Sequence, residues 1–161
     1  MDYKSEVRNL LLQLEVNRSY TGYEYVVYGV SLVIRDRNCT NYITKSLYLD
    51  IAKEYNTSWQ RVERNIRTVV KAVWRTKNVS LLKMVCGGQI IKRPKNKEFF
   101  LLLSDFVISI YSFEVAATRA HHKDASLLIA EGSAIGKYLK DKGYSKDDVG
   151  LIASIVVRYF N

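Results

Sequence analysis

The stretch TSWQRVERNIRTVVKAVWR, residues 57–75, constrains this chain more than any other. Val62, Ile66, Val69, Val70 and Val73 recur at three- and four-residue intervals, the apolar face of a helix. Thr57 followed by Gln60 has the form of a capping box, a hydroxyl accepting from the backbone N–H three residues on while the glutamine reaches back. Most of the apolar face is β-branched, so the helix depends on packing rather than on intrinsic propensity. The other face carries Gln60, Arg61, Glu63, Arg64, Arg67, Thr68, Lys71 and Arg75. Arg64, Arg67, Lys71 and Arg75 fall at spacings of 3, 4 and 4, so their cationic ends form a row. Such a row on a stiff rod suits the major groove of DNA, where arginine reaches guanine and the remaining cations neutralise phosphate. It equally describes a solvated amphipathic helix, so the neighbouring chain has to decide.

Charge sharpens the choice. The formal net charge of the 161 residues is +9 and the pI is near 9.5, which favours polyanionic partners, nucleic acid or an anionic membrane surface. Residues 43–97 hold 13 Lys and Arg against 3 Asp and Glu, whereas residues 106–161 hold 7 against 6. The basic block thus coincides with the arginine helix and its surroundings. The longest apolar run, Phe99–Leu103, is stopped by Ser104 and Asp105 and is too short to span a bilayer, so no membrane insertion is expected. Cys39 and Cys86 lie far apart without metal-like spacing; with no signal peptide they read as reduced thiols of a cytoplasmic, nucleoid-associated protein. One proline and eight glycines suit a mostly helical fold with few long loops.

Taken in order, residues 3–15 read as a helix with Val7, Leu10, Leu11 and Leu14 inward, and 17–22 as a turn. Residues 23–35 read as a helix apolar on most sides (Val26, Val27, Val30, Leu32, Val33, Ile34), hence central to the core. After a polar loop at 36–42, Thr44 is in place to cap a helix at 45–55 with Leu47, Tyr48, Ile51 and Ala52 inward. Asn56 tolerates the left-handed conformation at a helix end, and Thr57 begins the arginine helix at once. Two helices joined by so tight a turn, the second one basic, form the pattern of a helix-turn-helix. A short amphipathic helix at 79–86 is ended by Gly87 and Gly88, residues 89–93 read as extended, and Lys92, Arg93 and Lys95 form a basic loop beside Pro94. A long helix then starts at Asn96 or Lys97 and runs to about Ala120.

Residues 22–106 resemble the DNA-binding effector domain of the master sporulation response regulator of endospore-forming bacteria, the stage-zero sporulation protein A family. The residues that carry the likeness are Ile43-Thr44-Lys45, Leu47-Tyr48, Asp50-Ile51-Ala52-Lys53, Tyr55-Asn56-Thr57, Arg61-Val62-Glu63-Arg64, Ile66-Arg67, Trp74, and the stretch 95–99 before the last helix. The resemblance implies an all-helical domain that reads a short TGTCGAA-like box with the second helix of a helix-turn-helix. Arg61, Glu63, Arg64 and Arg67 stand at the reading positions. Thr68 and Trp59 occupy positions where the family has a histidine and a small residue, so the resemblance does not fix the identity of the box. The family's segment for contacting the polymerase sigma subunit matches residues 79–88, which read VSLLKMVCGG and lack the family's phenylalanine. The family protein carries a phosphoacceptor receiver ahead of this domain. Here the domain begins almost at Met1, so no aspartyl-phosphate switch is expected.

No enzyme constellation emerges, and no cofactor or metal is expected. His121 and His122 are adjacent, so on a helix they point about 100° apart and cannot chelate one ion together. The expected protein is all-α: a helix-turn-helix domain of about six helices at 1–109, then a helical extension at 110–161. Double-stranded DNA is the expected partner. Base readout is expected from Arg61, Glu63, Arg64, Arg67 and Thr68, and phosphate contact from Thr57, Gln60, Lys71, Arg75, Lys92, Arg93 and Lys95. In the extension Leu128, Ile135 and Leu139 lie on one stripe, and Ile152, Val156 and Phe160 belong to a run with few polar residues; both read as a homodimerisation element. The rival from another class is a protein-interaction module that antagonises or partners a full-length sporulation regulator.

Overall fold

The computed structural model describes residues 2–89 and 92–119. Their regular structure is helical, with no strand among the described residues: α1 Tyr3–Gln13, α2 Gly22–Arg35, a 3-10 turn Arg37–Thr40, α3 Leu47–Glu54, α4 Trp59–Val73, α5 Val79–Val85 and α6 Asn96–Arg119. The expected all-α class and the order of its helices agree with this.

α2 lies at the centre because its sequence leaves little polar surface. Tyr23, Val26, Val27, Val30 and Val33 are buried, and the helix packs against α4, α6, α1 and α3. Two glycines let it come close. A Cβ at Gly22 would stand 2.3 Å from the backbone oxygen of Asn65 on α4. One at Gly29 would stand 2.5 Å from the Phe100 ring on α6. Side chains at these points would push the neighbouring helices away from the core. Around α2, the bidentate pair of Arg8 with Glu24 (3.0 and 2.9 Å) joins α1 to α2, and Arg37 with Asp105 joins the 3-10 turn to α6.

Three helices end alike. In each, a left-handed residue follows the C-cap and two backbone N–H groups turn back to orphan carbonyls, the Schellman arrangement. Asn56 (φ 48°) follows α3, with Asn56 N–H donating to Lys53 O and Thr57 N–H to Ala52 O (2.9 Å). Gly87 (φ 78°) follows α5 in the same way. Glu15 (φ 58°) follows α1.

These endings correct several boundaries expected from sequence. α1 stops at Gln13 rather than at 15, because Leu14 is its cap and Glu15 turns left-handed. The arginine helix starts at Trp59, not Thr57, because the Thr57 N–H closes the end of α3. Its cap is Ser58, whose hydroxyl accepts from Arg61 N–H at 3.4 Å, so the Thr57–Gln60 box is not formed. Past Val73 the chain tightens into i→i+3 bonds, Arg75 N–H to Ala72 O and Thr76 N–H to Val73 O, and Arg75 lies beyond the helix. Thr44 does not cap α3. Residues 42–46 form turns closed on Tyr42 O, and the N-cap is Ser46, with no side-chain bond. The loop at 36–42 contains the 3-10 turn, and α5 ends at Val85 with Cys86 as its cap. Of the stretch expected to be extended, Ile90 and Ile91 lie outside the described residues, and no strand forms in the rest. α6 runs unbroken through 109–110, and the Tyr111 ring meets Tyr3 of α1 edge-on at 6.4 Å.

Candidate nucleic-acid interface

α3 and α4 are joined by the four residues 55–58, and α3 packs on α4. The connection is short because Asn56 reverses the chain in one step and Ser58 starts the next helix two residues later. α4 then buries Val62, Ile66, Val69, Val70 and Val73. Burying five such side chains contributes on the order of 10 kcal/mol before the entropy of ordering is subtracted. The apolar stripe fixes the rotation of the helix about its axis, and the rotation decides which residues face water. Gln60, Arg61, Arg64, Arg67, Thr68 and Lys71 are exposed on α4, as is Arg75 in the turn beyond it. Arg64, Arg67 and Lys71 of the expected row therefore share the solvent face of α4, while Arg75 is exposed past its end.

Within that face the residues differ. Glu63 is half-buried, and its carboxylate accepts from the Arg67 guanidinium one turn on. The Thr68 hydroxyl donates to Arg64 O at 3.3 Å and the Asn65 amide to Arg61 O at 2.8 Å, so both side chains lie along their own helix. Thr57 is half-buried, its backbone used in closing α3. Trp59, at the first helical position, is half-buried against the core.

Lys92, Arg93 and Lys95 are exposed, and the start of α6 joins their loop to the helix-turn-helix. The Asn96 amide donates to Tyr48 Oη on α3 at 2.9 Å and to the backbone oxygen of Glu63 on α4 at 3.2 Å. Lys95 N–H donates to the Glu98 carboxylate at 2.9 Å, which satisfies a backbone donor at the start of α6. The first residue of α6, at the end of the basic loop, thus meets α4 at Glu63. In the sequence Asn96 marks only the passage from the basic loop to a helix; no periodicity signals that its side chain bridges two other helices.

A second clamp holds the far end of α4. The Glu15 carboxylate accepts from Lys77 N–H at 2.6 Å and from the Thr76 hydroxyl at 3.1 Å. These two bonds hold its pKa below the ordinary 4.5. Asn78 caps α5 through Leu81 N–H and donates to Gln13 O at the end of α1.

Other chemistry is sparse. Cys39 and Cys86 are free thiols whose pKa burial pushes up to about 11, so neither is a ready nucleophile near neutral pH. Among the described residues no three His, Cys, Asp or Glu side chains gather as metal ligands, and no helix is long and apolar enough to cross a membrane. His121, His122 and the stripe of Leu128, Ile135, Leu139, Ile152, Val156 and Phe160 lie outside the described residues. Among known families, the model described as Sporulation initiation factor Spo0A C terminal matches residues 7–107. The match runs from the first core residue of α1 to Val107 of α6, well over half of the chain.

Proposed function

Since the chain belongs to the Spo0A C-terminal family, a family of DNA-binding regulatory domains and not of enzymes, we propose that it is a sequence-specific transcription regulator acting on double-stranded DNA. The observation that carries this reading is the cationic face of α4, presented by a helix whose other face is locked into the core. α4 enters the major groove. Arg64 and Arg67 read guanine by paired donors to O6 and N7, while Arg61 and Thr68 complete the readout. Glu63 accepts from cytosine N4 or holds Arg67 extended, and its ion pair with Arg67 favours the second role. Thr57, Gln60, Lys71, Arg75, Lys92, Arg93 and Lys95 hold the backbone on either side. Residues 1–109 hold the binding domain, whose last helix, α6, runs on past that boundary to Arg119. Residues 110–161 pair two copies through Leu128, Ile135, Leu139, Ile152, Val156 and Phe160, and the site of action is the cytoplasmic nucleoid. A polymerase sigma subunit is a further candidate partner through residues 79–88, although VSLLKMVCGG lacks the phenylalanine of the resembling segment.

Binding measured against salt tests the reading. If about six phosphates are neutralised, log K falls against log salt with a slope of roughly −5. A slope near zero, or no binding at low salt, overturns DNA binding. Such a result promotes the rival in which the domain partners a full-length regulator.

A further inference from the structure

We propose that Asn96 is a positioning residue that sets the basic loop in register with α4, so that loop and helix engage one duplex together; the proposal rests on the DNA-binding reading above. Both N–H bonds of one side-chain amide are used, on groups that belong to two other helices: Tyr48 Oη at 2.9 Å and Glu63 O at 3.2 Å. Tyr48 is 3% exposed, so its hydroxyl has a fixed place. The Glu63 carbonyl lies inside α4, where its first lone pair serves the helix ladder; Asn96 takes the second. The tether thus ends on the backbone of a residue whose side chain holds Arg67.

The consequence is geometric. Lys95 is the next residue in the chain, and Arg93 is three residues away, within roughly 11 Å of Asn96 even if fully extended. Lys95, Arg93 and Lys92 are thereby held close to the N-terminal part of α4, while a major groove is about 12 Å across. A helix seated in that groove with its flanking loop at this distance sets the loop cations against the phosphates that border it. Without the tether, the loop must be ordered at the moment of binding, and that entropy weakens every phosphate contact it makes.

The test is a double-mutant cycle on the full chain, read as the salt dependence of binding to a cognate duplex. Asn96→Leu keeps the branched shape and removes both donors. In the parent background it is expected to lower affinity about tenfold at ~0.1 M salt and to flatten the slope by about 2. With Lys92, Arg93 and Lys95 all changed to alanine, adding Asn96→Leu is expected to change neither. Equal losses in the two backgrounds, or an unchanged slope in the first, overturn the proposal while leaving DNA binding intact. A parent chain that binds no DNA overturns both. Should Asn96→Leu unfold, as judged by circular dichroism, Tyr48→Phe removes one anchor and is read in the same cycle, with a smaller loss confined to the loop-intact background expected and equal losses overturning the proposal.

Discussion

Arg64 and Arg67 leave α4 nearly one turn apart, yet their surroundings differ: Glu63 braces Arg67, whereas Arg64 extends from an exposed position. Lys92 sits exposed in the loop, where it is proposed to contact a backbone phosphate. Arg67→Ala or Arg64→Ala is expected to cost about 1–3 kcal/mol on the cognate duplex and to relax preference at one base pair. Lys92→Ala is expected to weaken cognate and scrambled duplexes alike. Titration of both duplexes checks this, and identical behaviour of the two kinds of variant rules out base readout. Glu15 makes a prediction of another kind. Its carboxyl titrates below the ordinary 4.5 because Lys77 N–H and the Thr76 hydroxyl stabilise the charged form. A folded-state pKa depressed in this way adds stability above the unfolded value, and that stability is lost as pH falls through the folded one. Glu15→Gln should therefore be less stable than the parent near about pH 7, with the difference closing from ~4.5 downward. Urea denaturation across that range measures it. A difference independent of pH would assign the effect to packing.

The helices as elements were legible in the sequence because their apolar periodicity is strong: the inward residues expected on α1, α3 and α4 are buried, as are those on α2 except Leu32 and Ile34, which are half-buried. Their ends were less so. Thr57–Gln60 and Thr44 have the residue types of caps, but Thr57 is already committed to closing α3, and the turns on Tyr42 delay α3 to Leu47. A cap is decided by where the preceding segment stops, which a local motif does not encode. Asn56 was readable because few residues accept its φ; Glu15 was not, since glutamate is uncommon there and its compensation comes from Thr76 and Lys77, far along the chain. The candidate site divides likewise. The arginine row followed from periodicity, whereas its union with the loop depends on Asn96. Close helix crossings also escape a pattern reading, because glycine near the start of a helix looks like a turn residue. Gly22→Ala sets a Cβ 2.3 Å from Asn65 O, a backbone atom that cannot swing aside. The expected cost is about 3 kcal/mol, or roughly 10 °C in Tm. Because the strain falls on α4, DNA specificity is expected to drop further than non-specific affinity. Thermal denaturation within about 2 °C of the parent would show that α2 and α4 part without cost.

At the scale of the whole molecule, a single helix-turn-helix offers one helix to one groove, and a short box read once is weakly selective. Two copies related by a two-fold axis read two half-sites, and the distance between the half-sites is then set by the dimer. The sequence beyond the described residues has the composition for such pairing. Leu128, Ile135 and Leu139 recur along one stripe, and between Val149 and Phe160 only Ser154 and Arg158 are clearly polar. A helix apolar around most of its circumference needs cover on more than one side. α6, already packed on α1, α2, α4 and α5, can supply one of them; in the proposed dimer a second copy of the chain would supply the other. The full chain is therefore expected to have twice its 18.6 kDa mass by light scattering at micromolar concentration. Stopping the chain at His122 should return it to a monomer. That monomer should still bind a single half-site with the salt dependence of α4 and the loop, while losing affinity for paired half-sites and their fixed spacing. A monomeric full chain would end the pairing proposal without touching the single-site readout. A dimer that survives the truncation would move the interface onto the helical domain itself.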